Sequence, residues 1–113
     1  MATITSHTLN GVDGSHAGGI PVRLRCLDTE REIFSTQMDA GGRLSQVLPP
    51  EEVQSGQRLE LVFELANYWR AQGHSSSRTV TEIVLRFTIE DTSGDYHMPL
   101  IISPYSYSSW RSS

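Results

Sequence analysis

The chain has 113 residues, 37% of them hydrophobic and 19% charged, and a formal net charge of -4. That length predicts one domain across 1–113, able to bury roughly 65% of the surface of the unfolded chain and so to hold a core without disulfide or metal. The acidic balance and the lack of any basic run argue against a nucleic-acid partner, and no apolar stretch approaches the ~20 residues of a membrane span.

Residues 3–9, rich in Thr and Ile, read as a strand that ends in the Asn10-Gly11 turn. Residues 10–19 hold four glycines and form a loop. Residues 20–27 alternate, with Val22, Leu24 and Cys26 on one face and Arg23 and Arg25 on the other. Asp28-Thr29 turns the chain into a return strand over 30–38. The Asp39-Ala40-Gly41-Gly42 turn leads into a short strand over 43–48, and a polar connection follows. Residues 58–65 alternate cleanly through Leu59, Leu61, Phe63 and Leu65. A helix is predicted over 67–72, N-capped by Asn67, anchored by Trp69 and closed by Gly73 at C′. Residues 81–90 make the clearest strand, with Ile83, Leu85, Phe87 and Ile89 inward. The turn at 91–95 leads to a strand over 96–103, then Pro104 and a last strand over 105–112. About eight short strands at regular spacing, with one short helix, predict an all-β sandwich. An exposed final strand carrying Tyr107 and Trp110 predicts an oligomer built by strand pairing.

The familiar catalytic motifs are mostly missing. All nine basic residues are Arg, so a Schiff base, a catalytic Lys and a P-loop are excluded. Cys26 is alone and shares a face with Val22 and Leu24, which makes it a core residue rather than a nucleophile. No G-x-S-x-G elbow and no zinc spacing occurs. What remains is a set of polar side chains on strands: His7, Arg43, His97 and Arg111. Each has an ordinary reading, as a strand, turn or tail residue, and His16 and His74 read as exposed loop residues. His97 stands out, because a His in so apolar a strand needs a hydrogen-bond partner. Alternation sets it opposite Tyr96, Met98, Leu100 and Ile102, so it faces a cleft or a partner if those four form the core. Two imidazoles with two guanidiniums suit metal-free hydrolysis, His taking a proton from water and Arg holding an anion or a developing oxyanion.

Four segments carry a further signal. ITSHTLNGVDGSHAGGIPVRL supplies a strand, a His, a Gly-rich loop and a second strand; DAGGRL supplies a turn with an Arg; NYWRAQG supplies a short helix; YHMPLIISPYSYSSWRSS closes the chain. Over essentially the full length these segments resemble the 5-hydroxyisourate hydrolase branch of the transthyretin-like family. The last one is similar to that branch's ending, Y-H-[VM]-P-L-L-[LI]-S-P-[YF]-[GS]-Y-S-T-Y-R-G-S. The resemblance implies a transthyretin-like Greek-key sandwich and a homotetramer, a dimer of dimers with its sites in the channel between dimers. It implies hydrolysis of 5-hydroxyisourate, the product of urate oxidation, a cyclic amide hydrolase reaction that needs no cofactor and no metal. His7, Arg43 and His97 match the family's active-site His, Arg and His, with His7 and Arg43 also touching substrate. Trp110, Arg111 and Ser113 match its substrate-binding C-terminal tetrapeptide. The departure lies there: Tyr-Arg-Gly-Ser is Trp110-Arg111-Ser112-Ser113 in this chain. Trp keeps an aromatic wall but loses the phenol, and Ser for Gly narrows the backbone freedom. The alternative readings are a small-molecule or hormone carrier using the same channel without chemistry, and a purely structural sandwich. MATITSHTL has neither a basic n-region nor an apolar h-region and the chain does not end in Ser-Lys-Leu, so cytosol or peroxisome is the expected compartment.

Overall fold

Alternation decides which face of each strand meets the core. The structure, a computed structural model, describes residues 1–75 and 77–112. Among the described residues, the strands are β1 (Ala2–Asn10), β2 (Pro21–Cys26), β3 (Arg31–Gln37), β4 (Arg43–Leu48), β5 (Gln57–Glu64), β6 (Glu82–Ile89), β7 (Asp95–His97), β8 (Leu100–Ser103) and β9 (Ser106–Ser109), with α1 (Ala66–Ala71) after β5. One sheet runs β3-β2-β5-β6, antiparallel throughout. Its inward rows are Val22, Leu24 and Cys26, then Leu59, Leu61 and Phe63, then Ile83, Phe87 and Ile89, all buried. The other sheet runs β4-β1-β8-β9, with β7 also on β1. It faces the first sheet with Ile4, Leu44, Leu48, Tyr96, Met98, Leu100 and Ile102. The chain changes sheet after β1, β3, β4 and β6, which gives the Greek-key sandwich.

The inward row of β1 is partly polar, and each polar group has a partner. Ser6 Oγ donates to the Met98 carbonyl at 2.7 Å, Thr8 Oγ1 to the Ala17 carbonyl at 2.7 Å, and Asn10 Nδ2 to Tyr68 Oη at 2.9 Å. Satisfied in this way, the three cost little and pin β1 to the β7–β8 junction, the loop and the helix. They also fix the facing of β1, so the odd-numbered residues Thr3, Thr5, His7 and Leu9 point outward.

The structure corrects the predicted elements at two places. The single strand expected over 96–103 is two, β7 and β8, because Pro99 has no N–H to give to the ladder. Both pieces keep one register on β1, with Thr5 opposite His97 and Thr8 opposite Leu100. The last strand is broken by the same residue: β9 ends at Ser109, and one further bridge joins Ser112 to His97. Among the described residues the sandwich thus has nine strands, the extra one arising from the break at Pro99, in keeping with the about eight expected. The helix begins at Ala66, with Leu65 rather than Asn67 in the N-cap position and no side-chain cap. The Asn67 side chain instead accepts a hydrogen bond from Arg70. Trp69 is fully buried, as an anchor should be, and Gly73 follows the C-cap at φ +89.

Candidate active site

Strand registers bring three of the sequence-predicted residues onto one outer face. β1 and β4 pair His7 with Arg43 and Thr5 with Ser45. On the other side of β1, His97 stands opposite Thr5. Directly opposite residues in a sheet point the same way, so Arg43, His7, Thr5 and His97 share the solvent side. His7 and His97 are diagonal neighbours on adjacent strands, about 7–8 Å apart at their Cα atoms. The cleft on this face, about 480 Å³, is lined by Thr5, Ser6, Asp39, Arg43, Leu44, Ser45 and His97.

Arg43 owes its position to the turn before it. The Asp39 carboxylate accepts from the backbone N–H groups of Gly41 and Arg43, each at 2.9 Å, so this carboxylate is spent on holding the loop. Gly42 stands at φ +72, where its carbonyl accepts from Thr8 N–H at 2.7 Å, and an added Cβ would lie 2.5 Å from the Thr8 carbonyl oxygen. Only glycine fits, and the fit sets Arg43 against His7. Gly42→Ala is expected to destabilise the fold by about 2–4 kcal/mol, read from urea unfolding, through positive-φ strain and a backbone clash. Among the described residues, no carboxylate pairs with the Arg43 guanidinium. A second groove, on the opposite sheet, holds Arg23 already paired with Glu64. The first cleft is therefore the better anion site.

The imidazoles are held differently. His97 Nδ1 lies 2.8 Å from Thr5 Oγ1. With the Nδ1 proton donated to that hydroxyl, Nε2 carries the lone pair. The His97 backbone is fixed as well, giving and taking hydrogen bonds with Ser112 at 3.0 and 2.9 Å. His7 Nε2 lies 2.9 Å from His16 Nδ1, with the two rings stacked at 5.1 Å. Partial burial, then the Arg43 guanidinium and His16, hold the His7 pKa below the ordinary histidine value; His97 adds a little, and the Gly41 backbone works the other way.

The tail divides. The β8–β9 register, continued through the Ser112–His97 bridge, sets Trp110 opposite Pro99, which itself lies opposite His7. The backbone register thus aligns Arg43, His7, Pro99 and Trp110 across the sheet, but Trp110 lines a different groove, with Arg86, Phe87, Met98 and Arg111. Trp110 is 50% exposed. Arg111 is not brought to the others: its guanidinium lies over the Tyr96 ring, 4.9 Å from the centroid, lining a groove with Glu90, Asp91 and Asp95. Ser113 lies outside the described residues. Sequence reasoning missed Thr5 and His16. Thr5 carried only the period-two signal that shares it with His7. His16 is returned beside β1 because the loop closes on itself: Asn10 Oδ1 accepts from Val12 N–H, Asp13 Oδ1 from Ser15 N–H, and Leu9 bridges His16. The Asn10-Gly11 and Asp13-Gly14 turn pairs were the legible part of that signal.

A family model described as "HIUase/Transthyretin family" matches residues 4–112. The chain belongs to the HIUase/transthyretin family. Among its relatives is the 5-hydroxyisourate hydrolase of Pseudomonas aeruginosa, 36% identical, with 100% of this chain and 93% of the relative covered. Another is the 5-hydroxyisourate hydrolase of Deinococcus radiodurans, 33% identical over 97% of this chain and 95% of the relative. Among solved structures, an (S)-allantoin synthase matches 99% of this chain with TM-score 0.86 and 25% identity, this chain spanning 44% of that one. The HIUase/transthyretin fold thus accounts for both sheets and the short helix.

Proposed function

We propose that the chain hydrolyses 5-hydroxyisourate to 2-oxo-4-hydroxy-4-carboxy-5-ureidoimidazoline. One observation carries the reading: an Arg with no carboxylate partner among the described residues and two imidazoles share one outer face, in a family whose relatives are named for this reaction. The product keeps a carboxyl and a ureido group, so a ring amide C–N bond is broken. Water must add to the carbonyl carbon, negative charge must gather on its oxygen, and the ring nitrogen must leave with a proton. His97 accepts the water proton at Nε2, its other nitrogen being held by Thr5. Arg43 binds the anionic substrate and the developing oxyanion. His7, whose Nε2 is engaged by His16, supplies the proton for the leaving nitrogen at Nδ1. In this reading no metal or cofactor takes part.

Trp110 is placed with the substrate-binding residues on its match to the family's tail; within one chain its ring lines a separate groove, with Arg86, Phe87 and Met98. Trp110→Ala is expected to raise KM by about 5–10-fold while kcat stays within about twofold, because the ring contributes binding shared by ground and transition state.

The assembly proposed is a homotetramer, a dimer of dimers, with this face turned toward another copy. The free edge of β9 and the exposed apolar side chains around the cleft, Val47 at 54% and Ile101 at 38%, support it. Decay of 5-hydroxyisourate, generated in situ with urate oxidase and followed by absorbance, separates the hydrolase from a carrier. A hydrolase accelerates the decay; a carrier leaves it unchanged or slows it.

A further inference from the structure

We propose that His16 is a positioning residue for His7 and its proton relay to solvent. This rests on the hydrolase reading and adds to it a residue from outside the three-residue set. Two geometric observations carry it. His7 Nε2 and His16 Nδ1 are 2.9 Å apart, so one ring must donate and the other accept, and each tautomer is tied to the other. The rings also stack at 5.1 Å, and the Leu9–His16 bridge fixes the backbone that presents His16, so the contact does not depend on a free side chain. His16 is itself exposed, which gives its remaining nitrogen, Nε2, access to water.

The relay balances without an added reactant. At the start His7 carries its proton on Nδ1 and accepts from the Nδ1–H of His16 at Nε2. His7 gives its Nδ1 proton to the leaving ring nitrogen and takes the Nδ1 proton of His16 at Nε2. His16 takes a proton from solvent at its own Nε2. Both rings end neutral with their tautomers exchanged, so no imidazolium has to persist next to a guanidinium. The charged or titratable groups around His7 are Arg43 on β4, His97 on β7, Asp39 in the turn before β4, and His16. Arg43 is the permanent cation of that set, and the Asp39 carboxylate that could offset it is engaged by two backbone N–H groups. A neutral relay suits that environment.

The test is His16→Phe, which keeps a stacking ring and removes both nitrogens, beside His16→Gln, which keeps a hydrogen-bond partner but cannot relay. His16 is solvent-exposed, so neither variant should prevent folding. Expected for His16→Phe are a fall in kcat of about 10-fold, KM nearly unchanged, and an acidic limb of the pH–rate profile moved to higher pH. The sign follows from His16 helping to hold the His7 pKa down: without it, His7 protonates at higher pH. In NMR titrations the His7 imidazole resonances should move in the same direction. His16→Gln, which carries no charge, should leave the limb displaced in the same direction and kcat low. An active wild type whose kcat, KM and pH profile all survive His16→Phe overturns the relay alone. A wild type with no activity on 5-hydroxyisourate overturns the hydrolase reading and takes the relay with it.

Discussion

Replacing His97 by Asn is expected to lower kcat for 5-hydroxyisourate by about 10²–10⁴-fold, with KM within a few-fold of the wild type. The size follows from the proposed role: His97 takes the water proton at Nε2, while Thr5 Oγ1 holds its Nδ1 at 2.8 Å. Asn can still meet Thr5 Oγ1, so the strand pairing and the tail bridge, which are backbone contacts at Thr5, His97 and Ser112, should survive. The loss should therefore fall on kcat, as expected for an interaction made in the transition state. Circular dichroism and unfolding midpoints close to the wild type would accompany it. A variant retaining more than about a third of the wild-type kcat would remove His97 from the role of base.

Arg43→Gln should have the next largest effect, a fall in kcat/KM of about 10²–10³-fold. Here KM and kcat should both move, because the guanidinium binds the substrate anion first and the oxyanion later. Stability should barely change: Arg43 is exposed, its turn is held through its backbone N–H, and among the described residues no acidic partner would be orphaned. The substitution has a second signature. Arg43 is one of the causes holding the His7 pKa down, so its loss should raise that pKa and move the acidic limb of the pH–rate profile to higher pH. A profile that keeps its limb while losing rate would mean that Arg43 acts on substrate alone.

Much of this was legible in the residues because most strands have one apolar face. The rows at 22–26, 59–63 and 83–89 follow period two, and the structure buries them as read except Leu85, which is half-buried against the core. His97 was also legible, since Tyr96, Met98, Leu100 and Ile102 fill the core side of its strand pair and leave the other side for it. The facing of β1 was not. Its core row contains Ser6, Thr8 and Asn10, which are buried only because each finds a partner elsewhere in the chain, and hydrophobicity carries no trace of such partners. His7 was placed by its motif rather than by its pattern. Pro99 was plain to see, yet its effect is register-dependent: it interrupts two ladders at once without shifting either. His16 needed the loop geometry, because a nine-residue separation across Asx turns has no periodicity to reveal it. Arg111 shows the limit of reading roles along a strand. One step along the tail separates the face that carries His97 from the one that carries Tyr96, and Arg111 lies on the latter.

Turnover at the Arg43–His7–His97 face can be read by adding the purified wild-type protein, at several concentrations, to a large excess of freshly generated 5-hydroxyisourate and recording its disappearance. The decay rate is expected to rise in proportion to protein, through many turnovers per protomer, and to fall to the spontaneous rate with the His7→Asn/His97→Asn double variant. A spontaneous rate at every concentration of well-folded wild-type protein, or an acceleration that the double variant retains in full, contradicts turnover at this face.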